Sequence, residues 1–192
     1  MKRMPTASQT VGPFFHVGLA RPELADLTRG GRAQGEPIVI LGQVRDGDGA
    51  PVPDAMLEIW QANAAGKYAH PEDRQAKPDD ANFVGFGRAF TDKEGRYRFT
   101  TVRPGAVPGR GNALQAPHIA VTLFARGLLK HLFTRLYFAD LVQANEADPV
   151  LSGIEDAAAR RSLLAEKVNG APATYRFDLV LQGEGETAFF EV

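Results

Sequence analysis

Four histidines, four tyrosines and no cysteine bound the chemistry open to this chain. Without a thiol there is no disulfide scaffold, thiolate metal site, iron–sulfur cluster or cysteine nucleophile. The histidines are His16, His70, His118 and His131, and none belongs to an H-x-H or H-E-x-x-H pair. His118 lies in APHIAVTLFAR, which reads as a strand. Its neighbour on the same face, two residues on, is Ala120, which has no donor atom. On that spacing His118 reads as a hydrogen-bonded structural imidazole. His16 and His70 fall in loop-like segments and read as solvated, and His131 fits either face of its strand. Tyr68, in NAAGKYAH, reads as a packed or solvated loop aromatic. Arg126 has the parity of His118, so both face one site if the strand runs on unbent. A guanidinium there can hold a carboxylate through two parallel hydrogen bonds, and a surface ion pair is the plain alternative. Ser8, Ser152 and Ser162 sit in no nucleophile elbow. There is no phosphate-binding glycine loop, and Gly183–Glu186 reads as a hairpin turn.

The elements that would carry these residues are short strands. Pro37–Arg45 and Ala55–Gln61 are strand-like, with a turn at Asp46–Gly49 between them. Residues 62–83 form a long loop with Gly66, Pro71 and Pro78. Thr91–Gly105 is a turn into a strand, with Tyr97, Phe99 and Thr101 on one face. A second long loop spans 103–117, and the two loops are expected to meet, because long loops in compact domains are usually functional. His118–Ala125 and Leu132–Phe138 follow as strands. Ser152 and Glu155 fit a capping box. With Ile154, Ala157, Ala158, Ala165 and Val168 at helical spacing, they predict one helix ended by Asn169-Gly170 and Pro172. Ala173–Gln182 and Thr187–Val192 close the chain as strands. Residues 1–35 look irregular.

This pattern is an all-β chain, a β-sandwich with long loops, an extended N-terminal arm and one or two short helices. The 20 glycines and 13 prolines among 192 residues agree with it. No linker divides 1–192, so we read one domain, with 1–35 as an arm and 36–192 as the sandwich. A net charge of −1 argues against nucleic-acid binding through bulk charge. No apolar run has membrane-spanning length, and MKRMPTASQT has no apolar signal core, which points to the cytoplasm.

Several segments together resemble the intradiol ring-cleavage dioxygenases. They are SQTVGPFFHVGL (8–19), EIWQANAAGKY (58–68), TDKEGRYRFTTVRPG (91–105), APHIAVTLFARG (116–127), RLYFAD (135–140) and YRFDLVLQGEGETAFFE (175–191), in the family's order. LFARG and QGEGET are similar to one branch, in which homologous alpha and beta chains form the enzyme, and the likeness is to its alpha chain. The resemblance implies an Fe³⁺ enzyme whose iron is held by two tyrosinates and two histidines, acting with O₂ on protocatechuate to give 3-carboxy-cis,cis-muconate. In this sequence the four ligand positions read Tyr68, Val107, His118 and Ala120. Gln115 stands where the family has Arg, and Arg135 where it has Gln. With two donors gone, the resemblance implies no metal and no catalytic residue in this chain; Tyr68 and His118 are vestigial, and the iron belongs to a homologous beta chain within a larger oligomer. It also implies that Thr10, Gly12, Pro13 and Arg126 line the substrate pocket, with Arg126 facing the protocatechuate carboxylate.

Two other readings stay open at this point: a self-sufficient enzyme with a substitute ligand such as His131, and a non-catalytic β-sandwich binding or structural module. For packing, Ile119, Val121, Leu123 and Ala125 are the expected core face of their strand. Val11, Phe14, Phe15 and Val17 are hard to bury in one sandwich and are expected to meet a partner.

Overall fold

The computed structural model describes residues 6–109, 111 and 113–191. The first five residues of the arm and Val192 of the last expected strand lie outside them. The strands are β1 (Pro37–Arg45), β2 (Met56–Trp60), β3 (Phe86–Phe90), β4 (Arg96–Val102), β5 (Val107–Pro108), β6 (Leu114–Gln115), β7 (His118–Phe124), β8 (Leu132–Phe138), β9 (Leu164–Val168), β10 (Ala173–Arg176) and β11 (Leu179–Val180). Helices are α1 (Pro13–Leu19), α2 (Val142–Glu146) and α3 (Ala157–Ser162), with a 3₁₀ turn at Pro22–Ala25.

Nine strands form one mixed sheet in the order β11-β1-β10-β9-β8-β7-β2-β3, with β4 also paired to β1. The β4-β1-β10-β9 half and the β8-β7-β2-β3 half join only through a short parallel pairing, Tyr137 with Leu164 and Phe138 with Ala165. The two halves face each other across one core. Ile38, Ile40, Phe99 and Tyr175 come from one half; Leu57, Val121, Leu123 and Leu136 come from the other. This is the expected sandwich, closed along one side. On β7 the alternation is as read: Ile119, Val121, Leu123 and Ala125 are buried in the core. Part of the arm joins it too, since Leu27 is buried and its amide donates to the Thr100 carbonyl at 2.9 Å.

Three expectations are corrected. The helix expected from Ser152 onward is only α3, capped by Asp156, whose carboxylate accepts from the Ala158 amide at 2.8 Å. Ala165 and Val168 are not helical: β9 pairs with both β8 and β10, and tertiary pairing overrides the alanine-rich spacing. The segment 187–191 is no strand: its one β-bridge is Phe190 to Phe133, and Thr187 and Ala188 are held by bonds to Val180 and Ser162. Residues 1–35 are not wholly irregular: Pro13 occupies the first turn of α1, where its missing N–H costs nothing. β3 and α2, both short, were not foreseen.

Candidate functional site

The outward face of β2, β7 and β8 positions the site. Ala120 pairs with Trp60 on one side and Arg135 on the other, and His118 pairs with Tyr137. The two long loops do meet over this face. Gly105 donates to the Asn63 carbonyl at 2.9 Å, and Lys77 Nζ donates to the Ala106 and Gly66 carbonyls at 2.8 and 3.1 Å. The loops bring Tyr68 and Val107 to one open cleft of about 710 Å³, with Trp60, His70 and Pro108. The Tyr68 ring stacks on Trp60 at 5.8 Å and an interplanar angle of 10°.

His118 is buried. Its Nδ1 donates to the Ala116 carbonyl at 2.8 Å, which leaves Nε2 as the acceptor nitrogen. Burial holds the imidazole below the usual histidine range; the Ala116 bond opposes this, and the Arg135 charge adds to it. Burial raises the Tyr68 phenol, with Arg135 pulling the other way. Arg135 Nη1 donates to Gln115 Oε1 at 2.6 Å and to the Tyr137 hydroxyl at 3.3 Å. Tyr137, pushed up to about 12 chiefly by burial, bonds to Asp148 at 3.3 Å. Asp148 is fully buried and also accepts from the amides of Ala116, Val150 and Leu151. Sequence reasoning missed the roles of Tyr137 and Asp148. The shared parity of Arg135 and Tyr137 on β8 was the available signal for Tyr137.

The residues present do not fit an iron centre. Tyr68 and His118 are two donors, while Val107 and Ala120 offer carbon only. Among the described residues no cluster of three or more His, Asp or Glu side chains could hold a metal ion. Arg135 places a permanent positive charge beside the two surviving donors, and like charge opposes a metal cation.

The other expected site residues lie elsewhere. β7 ends at Phe124 and Gly127 turns the chain at φ +90°, so Arg126 and His118 do not share a site. A strand of this length separates them by roughly 20 Å. Arg126 is exposed and makes no ion pair among the described residues. Thr10, Gly12 and Pro13 stand at the Arg126 end. Thr10 accepts from the Gly127 amide at 2.8 Å, and Gly12 caps α1. Phe14 and Val17 are 89% and 78% exposed there. A groove of about 1020 Å³ runs beside them, lined by Val11, Phe15, Phe124, Leu129 and Phe189. His70 is exposed as expected, and His131, which the sequence left open, is exposed too; His16 instead sits edge-on to Phe90 at 4.5 Å.

The structure is thus a two-layer β fold whose cleft carries Tyr68 and Trp60, with His118 buried on the neighbouring strand β7. The dioxygenase family matches residues 11–183. The chain is 45% identical to the protocatechuate 3,4-dioxygenase alpha chain of Pseudomonas putida, over 97% of this chain and 96% of that one. It is 39% identical to the beta chain of the Burkholderia cepacia enzyme, over 94% of this chain and 77% of that one. Catechol 1,2-dioxygenase from Pseudomonas arvilla C-1 superposes with a TM-score of 0.60 at 25% identity, covering 82% of this chain and 55% of that one. The chain belongs to the intradiol dioxygenases, an iron-dependent family of ring-cleaving oxidoreductases. No helix among the described residues is long and apolar enough to cross a membrane.

Proposed function

We propose that this chain is the iron-free alpha subunit of a protocatechuate 3,4-dioxygenase. It pairs in the cytoplasm with a homologous beta chain that holds Fe³⁺, and the pairs assemble into a larger oligomer. The complex opens 3,4-dihydroxybenzoate with O₂ between its hydroxyl-bearing carbons, giving 3-carboxy-cis,cis-muconate. The observation that carries this is the near full-length likeness to alpha chains, in a chain whose ligand positions are Val107 and Ala120 with Arg135 beside them.

This chain's part is to shape the partner's substrate pocket with the arm and the β7–β8 turn. Exposed Phe14 and Val17 are apolar surface that a partner would bury. Arg126, which makes no ion pair among the described residues, faces the substrate carboxylate and separates protocatechuate from catechol, which lacks that group. Gly12 lets the backbone approach closely, and Pro13 fixes the direction in which the arm leaves.

The test is an iron assay with O₂ uptake on protocatechuate, run on this chain alone and after co-expression with a beta chain. Iron and uptake only in the complex support the subunit reading. Iron and uptake in the lone chain would mean another donor set exists. A complex whose activity is the same with or without this chain would favour a structural module.

A further inference from the structure

Arg135 is a half-buried cation with no carboxylate in direct contact among the described residues; the nearest in its network, Asp148, is reached only through the Tyr137 hydroxyl. Its Nη1 spends its bonds on two uncharged acceptors, Gln115 Oε1 at 2.6 Å and the Tyr137 hydroxyl at 3.3 Å. Its Nε and Nη2 make no hydrogen bond to the described residues, and no ion pair there includes it. An arginine withdrawn from water normally has a carboxylate or phosphate partner, because its fork of five donors is matched only by such groups. The strand position opposite it is Ala120, so no side chain covers it from there.

The cleft beside it has the complementary surface. Trp60 and Tyr68 present near-parallel rings, and Val107 and Pro108 supply more apolar wall. Gln115 ties this wall to the cation: its Nε2 donates to the Pro108 carbonyl at 3.1 Å while its Oε1 accepts from Arg135. The acids of the cleft are already engaged. Glu72 pairs with Arg74 at 3.7 Å, and Asp73 accepts from the Tyr68 amide at 2.7 Å and from Gln75. Among the described residues the Nε and Nη2 donors of Arg135 remain unused, and Ala120 alone stands between its strand position and that of Trp60.

We propose that this cleft, having lost its metal donors, is a non-catalytic binding site for a small aromatic carboxylate, held by Arg135 and packed on Trp60 and Tyr68. The carboxylate takes the unused Nε–H and Nη2–H donors, and the ring takes the apolar walls, where aromatic contact adds to area burial.

Trp60 is the chain's one tryptophan, so its fluorescence reports the cleft directly in the full-length chain. The probes are benzoate, its neutral isostere benzamide, and acetate, which has the charge without the ring. Saturable change with benzoate, at least tenfold weaker with benzamide and with acetate, is expected. Arg135→Gln should weaken benzoate at least tenfold. Gln115→Glu should do the same by placing a carboxylate on Arg135 from within, and it keeps the guanidinium that the surrounding fold packs against. Benzoate and benzamide acting alike, no saturable response to benzoate, or undiminished benzoate binding in Gln115→Glu would each overturn the proposal.

Discussion

The Thr10 hydroxyl accepts a hydrogen bond of 2.8 Å from the Gly127 amide, across 117 residues of sequence. It ties the arm to the turn that carries Arg126. The residues expected to reach substrate therefore form one unit at one end of β7, and His118 lies at the other end.

Gly12 gives the sharpest test of that unit. A Cβ built there meets nothing within 4 Å, and its φ of −113° suits any residue. The fold of this chain therefore has no need of glycine at that position. Gly12→Val should leave the stability of the lone chain within about 0.5 kcal/mol. In the complex it should lower kcat/KM for protocatechuate at least several-fold. Unchanged kinetics would remove Gly12 from the pocket.

Arg126→Ala addresses recognition of the carboxylate. A charge-assisted hydrogen bond contributes about 1.5–3 kcal/mol, so KM for protocatechuate should rise about tenfold or more, with little change in kcat if binding is uniform. Turnover of catechol, measured in parallel, should not fall. A variant indistinguishable from the parent on both substrates would make Arg126 a surface residue only.

Leu123→Asp probes the face assignment of β7. Leu123 is fully buried and pairs with Leu57 and Leu132 across two strand neighbours. Burying an unpaired carboxylate costs several kcal/mol, a large share of a domain's total stability. The variant should be insoluble or unfolded by circular dichroism, and soluble folded protein would contradict the assignment.

That face was legible in the sequence because period-2 alternation on a half-buried strand leaves only one solution, and β1, β2, β4 and β8 were readable for the same reason. Residues 164–168 were not, since Ala165 and Val168 are compatible with helical spacing and only pairing to β8 and β10 decides between the two. α1 was hidden because none of its residues is fully buried and Phe14 and Val17 face outward, so it has no buried stripe within this chain. At the site, spacing showed only that Ala120 offers no donor beside His118; Val107 as a ligand position was implied by the resemblance alone. The unpaired state of Arg135 was not readable, because it depends on which side chains of the two loops fold against it.

His118 should make stability fall with acidity. Burial depresses its proton affinity below the ordinary histidine value near 6.5. Below that pH the unfolded chain takes up a proton that the folded imidazole resists, so the unfolded state binds more protons and folding weakens as pH drops. The loss begins near the unfolded value and ends once pH is below the folded one. Glutamine keeps an N–H for the Ala116 carbonyl and removes the titration. Between about pH 7.5 and pH 5.5, urea midpoints should fall further for the parent than for His118→Gln. A larger fall in the variant would mean that the imidazole is charged in the fold.

Placing donors at the two positions where the resemblance implies them tests what would keep iron from this site. If their absence alone were responsible, Val107→Tyr with Ala120→His would suffice. Arg135 argues otherwise: it pairs directly with position 120, and its charge is felt at both Tyr68 and His118. At an effective dielectric near 20, two unit charges about 4 Å apart repel by about 4 kcal/mol, and a ferric ion carries three. The double variant should therefore stay poor in iron by elemental assay. Adding Arg135→Gln should raise iron toward one per chain and bring a visible tyrosinate-to-iron charge-transfer band. Full iron loading of the double variant would show that the donors alone decide, and that the guanidinium is no barrier.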